Sequence, residues 1–264
     1  MPAIYAHDRF GAKVSEQLYG DLREIVTKYY PQFSIGLQGP DIFFFYQPYR
    51  RNRISRYGSL LHQVSALSFF GRALSVIPKK GRNSREYAYL MGFICHFILD
   101  SECHPYVNEM VEKTGVSHLE IEEEFEKFLL RADCRDPFSY PVADLIPTDL
   151  LTAETIRPFY GKLITQSHVR ACLRSMKLVK RFFTAPGTVK YRTINSLMKL
   201  SGKDRDYRGL MHQRTDHPAC KKTNQELCRR FDKAVDLAVS MICDFDECLQ
   251  TGRKLSRRFD RNFE

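Results

Sequence analysis

The chain contains no tryptophan among its 264 residues. It has no Cys-x-x-Cys pair, so a cysteine-based zinc site has no support. No apolar run reaches the ~18 residues that a bilayer-crossing helix needs. The nearest approach, around Tyr87–Leu99, is interrupted by Gly92 and His96. The opening stretch MPAIYAHDRFGAKV lacks the basic segment, apolar stretch and small-residue cleavage site of a secretory leader. There is no internal repeat and no low-complexity tract. Eight cysteines in a chain of this length, without a leader, read as reduced thiols rather than a disulfide framework, and a cytoplasmic location is expected.

What is present is ordinary globular composition, with 43% apolar and 27% charged residues. The net charge of +10 is unevenly placed. Residues 1–159 carry 18 basic and 20 acidic side chains, whereas residues 160–264 carry 23 and 11. A basic second half points to anionic partners: phosphate esters, an anionic membrane surface or nucleic acid. A solvated basic helix face explains runs such as Arg229-Arg230 and KLSRRFDR equally well.

Apolar residues recur at helical spacing nearly throughout, so an all-α, multi-helix bundle is expected. The pattern places helices over Lys13–Tyr30, Gly58–Ile77, Arg85–Cys103 and Ser117–Arg131. The second of these ends at Pro78 and Gly81, and Pro105 lies just past the third. Ser84 and Ser117 are candidate caps, the latter in a Ser-x-x-Glu box with Glu120. FSIGLQGPD reads as a loop, and IFFFYQPYRRNR as a short strand or buried loop. Further helices are expected over Thr152–Tyr160, Leu163–Phe183, Thr188–Leu200 and Thr223–Leu249, with an exposed polar loop at 201–221. The Pro-containing stretch Asp136–Pro147 divides a core of residues 1–135 from a basic region of 136–264. The two are expected to pack together, because their amphipathic helices need mutual cover.

Chemistry concentrates in the first half. His96, Asp100 and His104 fall at i, i+4 and i+8, so they span about 80° of one helix face. The neighbours are Phe93, Ile94, Phe97, Ile98 and Leu99. Burying three ionisable groups in such company is costly unless something compensates them, and a metal does so. A hydrogen-bonded polar core is the alternative. His118 and Glu122 are again one turn apart on the next helix, and a short loop folds them back toward His104. His62 sits among apolar residues in SLLHQVSALSFF, Asp41 enters the apolar IFFFY segment, and His7 lies near the start. Each alone is an ordinary structural residue. Together they supply five histidines, two aspartates and one glutamate, a set suited to Zn²⁺ and too large for one tetrahedral ion. A metal cluster between helices of the N-terminal half is therefore expected. His212 and His217 in the polar loop are expected to be exposed, and Cys95 and Cys103 to lie off the ligand face as core.

The order His7, Asp41, His62, then HFILDSECH with His96, Asp100 and His104, then HLEIE with His118 and Glu122 resembles the zinc-dependent phospholipase C family. That family shares its fold with the fungal single-strand nucleases. The phrases GPDIFFFY, LLH and YLMGFICHFILDSECHPYV strengthen the likeness, which covers roughly residues 1–130. The resemblance implies two or three zinc ions. Asp41, His62 and His96 would hold one and His104, His118 and Glu122 the second. His7 would hold the third, with Asp100 bridging to the first. In the family the third ion is also chelated by the amino nitrogen and carbonyl of a leading tryptophan, which this chain lacks. Removal of the initiator methionine would expose Pro2 for that role.

The function so implied is zinc-dependent phosphodiester hydrolysis, most closely of phospholipase C type, by hydroxide attack on phosphorus. Asp41 would ligate and also orient or deprotonate the water. In phospholipase members two aromatics help hold a choline head group, and here those positions are Ile42 and Ser59. Nuclease or other phosphoesterase activity on the same site is the first alternative. A non-catalytic, metal-stabilised helical protein binding anionic lipid or nucleic acid is the second.

Overall fold

A computed structural model of the chain describes residues 3–202 and 208–264. The fold is all-α, 74% helical, with no strand among the described residues. The helices are α1 (Ile4–Gln17), α2 (Gly20–Lys28), α3 (Tyr30–Gly36), α4 (Arg53–Gln63), α5 (Leu67–Lys80), α6 (Arg85–Thr114), α7 (His118–Ala132), α8 (Leu150–Ile156), α9 (Gln166–Phe183), α10 (Thr188–Leu200) and α11 (Cys220–Thr251). A 3-10 helix, Gly39–Phe45, joins α3 to the segment before α4. Among the described residues, no single helix is long and apolar enough to cross a membrane.

Helix α6 organises the molecule. Every residue from Tyr87 to Ser101 is buried, so this stretch shows no one-sided apolar stripe. Helices α1, α2, α3, α5, α7, α8 and α11 all pack on α6. One continuous apolar core results, running from Ala3 to Phe263 and drawing on both halves of the sequence. Ser84 caps α6 by accepting from the backbone N–H of Tyr87, and Ser117 caps α7 by accepting from that of Glu120, as the sequence suggests.

The closest approach in this frame is between α3 and α6. A Cβ on Gly92 would lie 2.1 Å from the Phe33 carbonyl oxygen, and one on Gly36 would lie 2.2 Å from that of Tyr89. Backbone atoms cannot yield as side chains do. Gly92→Ala is therefore expected to destabilise the fold by about 3 kcal/mol, read as a lower denaturation midpoint. An unchanged midpoint would show that the crossing is slack.

Several boundaries differ from the sequence expectation. The helix expected over Lys13–Tyr30 is two, because Leu18 and Tyr19 turn extended and let both α1 and α2 lie on α6. Much of FSIGLQGPD is helix α3, and IFFF is neither strand nor loop but part of the buried 3-10 helix. The helix expected over Gly58–Ile77 starts earlier, at a cap where Asn52 accepts from the N–H groups of Ile54 and Ser55. It then breaks after Gln63, and α4 and α5 meet at 104°. Residues near the end of the chain fill the break: Ala66 N–H donates to the Arg261 carbonyl at 2.9 Å, and Phe263 N–H to the His62 carbonyl at 3.1 Å.

Helix α6 also does not stop near Pro105 but runs on to Thr114. Proline at 105 removes the donor that the Ser101 carbonyl would otherwise receive. Arg261 Nη2 donates to that carbonyl instead, at 3.1 Å. The stretch 201–221 is not simply exposed. Gly209 and Met211 are buried and Gly209 lies against the Leu119–Glu120 backbone; residues 203–207 lie outside the described ones.

Candidate metal centre

Five elements converge on one polar pocket in the core. Helix α1 brings His7, the 3-10 helix Asp41, α4 His62, α6 His96, Asp100 and His104, and α7 His118 and Glu122. All are at most 9% exposed except His118, whose side chain is 30% exposed. The local backbone explains part of the placement. Gly39, at φ +48°, lets the 3-10 helix approach so closely that a Cβ there would lie 2.1 Å from the His96 ring.

Four imidazoles are tethered through Nδ1 to fixed acceptors. His62 is held by the Gly58 carbonyl at 2.8 Å, His96 by that of Leu37 at 3.1 Å and His104 by that of Phe263 at 2.8 Å. His118 is held by Asn108 Oδ1 at 3.1 Å. Each tether fixes the tautomer, so Nε2 faces the pocket as a lone-pair donor, the arrangement that metal-ligating histidines adopt.

Those Nε2 atoms meet carboxylates. His62 Nε2 lies 2.9 Å from Asp41 Oδ1, and both His104 Nε2 and His118 Nε2 lie 3.1 Å from Glu122 Oε1. Asp100 is shared: Oδ1 is 3.3 Å from His7 Nε2 and 3.7 Å from His104 Nε2, while Oδ2 is 3.2 Å from His96 Nε2. Three groups of donor atoms arise, each within 4.8 Å: Asp41, His62 and His96; His104, His118 and Glu122; and His7, His96 and Asp100. The eight residues singled out in the sequence are thus brought together. Pro2 lies outside the described residues.

The donor set fits zinc. Ligands at ~2.0–2.2 Å on a tetrahedral ion are themselves ~3.3–3.5 Å apart, close to the spacings seen. His7 Nδ1 and Glu122 Oε2 are buried without a hydrogen-bond partner, and His96 Nε2 faces Asp100 Oδ2 with no hydrogen bond between them. Burying such groups uncompensated is unfavourable, and a cation removes the penalty.

Electrostatics follow the same division. Burial alone raises the Asp41 and Glu122 carboxyls, but nearby positive charge, the facing imidazoles included, lowers them, and the balance holds both below the ordinary range. Burial lowers His96 to about 3, so it is neutral and ready to ligate. Burial would also lower His104, yet Asp100 and Glu122 outweigh it and raise this imidazole to about 9. A metal takes only the neutral ring. Zinc affinity of the metal-free protein is therefore expected to rise as pH rises from about 6 to about 9, while the carboxylates stay ionised throughout. Competition against a chromophoric chelator measures this; a flat profile would remove His104 from the ligand set.

The sequence reading missed a second buried cluster beside the first. Glu123 and Glu126 on α7 meet His212, with His212 Nδ1 3.0 Å from Glu123 Oε1. His212 is therefore mostly buried, not exposed as the polar loop suggests. Buried Lys180 from α9 lines the same cleft and supplies positive charge, so the cluster balances without an ion. Glu126 Oε2 accepts from the Tyr5 N–H at 2.8 Å, holding the first turn of α1 two residues from His7. Glu126→Ala is expected to cost about 1–3 kcal/mol and to weaken metal retention at His7 and Asp100. Unchanged melting and metal content would reduce Glu126 to a bystander. No local spacing signals this role, because the partner is a backbone amide 121 positions away. Cys95 and Cys103 are both buried core, as expected; Cys103 also lines the cleft beside His7 and Asp100, with its thiol pushed up by burial and so protonated. His168 and His217 lie outside the centre.

A family model described as zinc dependent phospholipase C matches residues 6–177, more than half of the chain. No curated protein and no solved structure matches.

Proposed function

This chain belongs to the zinc-dependent phospholipase C family, and from that premise we propose that its buried centre hydrolyses the phosphodiester bond of a phospholipid by attack of water on phosphorus. The observation that carries this reading is the set of four Nδ1-tethered imidazoles turned toward three carboxylates. Zinc held there, in two or three positions, supplies Lewis acidity that brings water ionisation toward neutral pH and takes up charge on phosphate oxygens.

The chain's own residues do the rest. Asp100 presents one oxygen to His7 and His104 and the other to His96, so a single carboxylate ties the three donor groups together. Asp41, held ionised beside His62, ligates and is the group we assign to orient the attacking water. His118 is the most exposed ligand, so the phosphate enters from the α7 side. Ile42 is fully buried and the Ser59 hydroxyl bonds back to its own helix, so these two positions offer no aromatic cage for a quaternary ammonium. The nearest aromatic faces are those of Phe44 and Phe263, 5.3 Å and 5.2 Å from the His62 ring.

The test is product analysis on phosphatidylcholine in mixed micelles and, in parallel, on single-stranded DNA. The expected result is diacylglycerol release that a chelator abolishes and zinc restores. Zinc-loaded protein that cleaves the DNA and spares the lipid would replace this reading with the nuclease one.

A further inference from the structure

From Thr155 to Gly202 the sequence has no aspartate or glutamate and ten lysines and arginines. Most of this run is α9, α10 and the turn between them. On α9, Leu178 is 69% exposed and Phe182, one turn on, is also exposed. On α10, Val189 is 80% and Leu200 85% exposed, and Leu197 joins them. At 100° per residue these three fall within about 80° of one face. A second face, about 120° round the helix, is already used: Ile194 and Met198 are buried with Ala185 and Met211. Helix α10 is thus apolar on two sides, one covered and one open.

The two helices meet at a closed corner. Lys190 Nζ donates to the carbonyls of Arg181 and Thr184 at 2.9 and 2.7 Å, drawing the start of α10 against the end of α9. Exposed basic residues accompany these apolar groups: Arg174 and Arg181 on α9, and Arg192 and Lys199 along one edge of the α10 stripe. Asp144 pairs with Arg181 at 3.2 Å and lies 3.8 Å from Lys177. Exposed leucine and valine with a basic edge is the pattern of a helix that lies in the plane of a membrane interface, with apolar groups entering the acyl boundary and cations meeting anionic head groups. Nucleic acid would meet the same charge but has no use for an open aliphatic face.

We propose that the open face of α9 and α10 docks the protein on an anionic phospholipid surface. The choice of occupant rests on the reading of the centre as acting on phospholipid. Helix α9 links the two: the 3-10 helix that carries Asp41 packs on it, and Tyr46 just beyond that helix meets His168 near its start, with ring centroids 5.2 Å apart.

The experiment is flotation of the full chain with vesicles of phosphatidylcholine alone and of phosphatidylcholine with phosphatidylserine. Binding to single-stranded RNA and turnover of a soluble phosphodiester are measured on the same preparations. Two variants are used, Val189→Ser/Leu197→Ser/Leu200→Ser and Arg192→Glu/Lys199→Glu; every position is exposed and none belongs to the metal centre. The expected result is salt-sensitive binding to the anionic vesicles, about tenfold weaker or more in each variant, with soluble-substrate turnover unchanged. Anionic vesicles left unbound, or bound equally by the serine variant, would overturn the proposal, as would RNA binding without vesicle binding. Vesicle binding by a protein that hydrolyses neither lipid nor soluble substrate would leave the docking face standing and remove the phospholipase reading.

Discussion

Asp100→Asn is expected to lose zinc and activity together. The carboxylate faces His7, His96 and His104 at 3.2–3.7 Å and is the residue common to the neighbourhoods of all three donor groups. Asparagine keeps the size but loses the charge and presents an NH₂ toward one set of imidazoles. Lewis-acid stabilisation of phosphoryl transfer amounts to several kcal/mol, so activity should fall by about 10³-fold or more. Elemental analysis of the purified variant distinguishes the account from a purely structural role. Zinc retained at the wild-type level with full turnover would remove Asp100 from the centre. The metal-free wild type supplies the control, because it should resemble the variant in both activity and melting temperature.

Removing residues 256–264 is expected to weaken both the centre and the fold by a different route. This segment supplies none of the candidate ligands, but it holds them in place. The Phe263 carbonyl accepts from His104 Nδ1, its N–H donates to the His62 carbonyl, and its ring lies against those of His62 and His96. Arg258 bonds to Ser101 Oγ and Glu102, and Arg261 to the Ser101 carbonyl that Pro105 leaves unmatched. Losing a tether behind a metal ligand costs ~10–100-fold in metal affinity. Losing two buried phenylalanines, Phe259 and Phe263, adds about 3–5 kcal/mol of destabilisation for each. Phe263→Ala separates the two, since it removes the ring and keeps the carbonyl. Its melting temperature should drop while its zinc affinity changes less than that of the truncated chain. Equal zinc affinity in the truncated and intact chains would show that the tether is idle.

The two halves of the centre were not equally visible in the sequence. The candidate ligands are rare residue types at telling intervals. His96, Asp100 and His104 share one face by simple helical arithmetic, and His118 and Glu122 repeat it one helix later. Asp41, His62 and His7 become legible only as members of an ordered series. The groups that hold those ligands are mostly backbone carbonyls, at Gly58, Leu37 and Phe263, and a carbonyl leaves no mark in a sequence. Glu126 has a telling side chain but a backbone partner, so its part in seating α1 was equally hidden.

The same reason explains the helix boundaries. Periodicity found α10 to the residue, because Thr188–Leu200 is an independent amphipathic segment. It overran the break between α4 and α5 and stopped α6 short at Pro105. Both errors come from tertiary partners, Ala66 with Arg261 and Ser101 with Arg261, that satisfy backbone groups a local rule counts as lost. His212 shows the converse. A histidine in a polar loop reads as exposed until two carboxylates 86 and 89 positions earlier are folded over it.

That these eight side chains form a multi-zinc centre is decided by the zinc content per chain of natively expressed, untagged protein. Two or three tightly held ions per folded chain is the expected value. None, or one, in protein that is fully folded would contradict the claim and leave the chain as a helical bundle whose buried histidines and carboxylates serve structure alone.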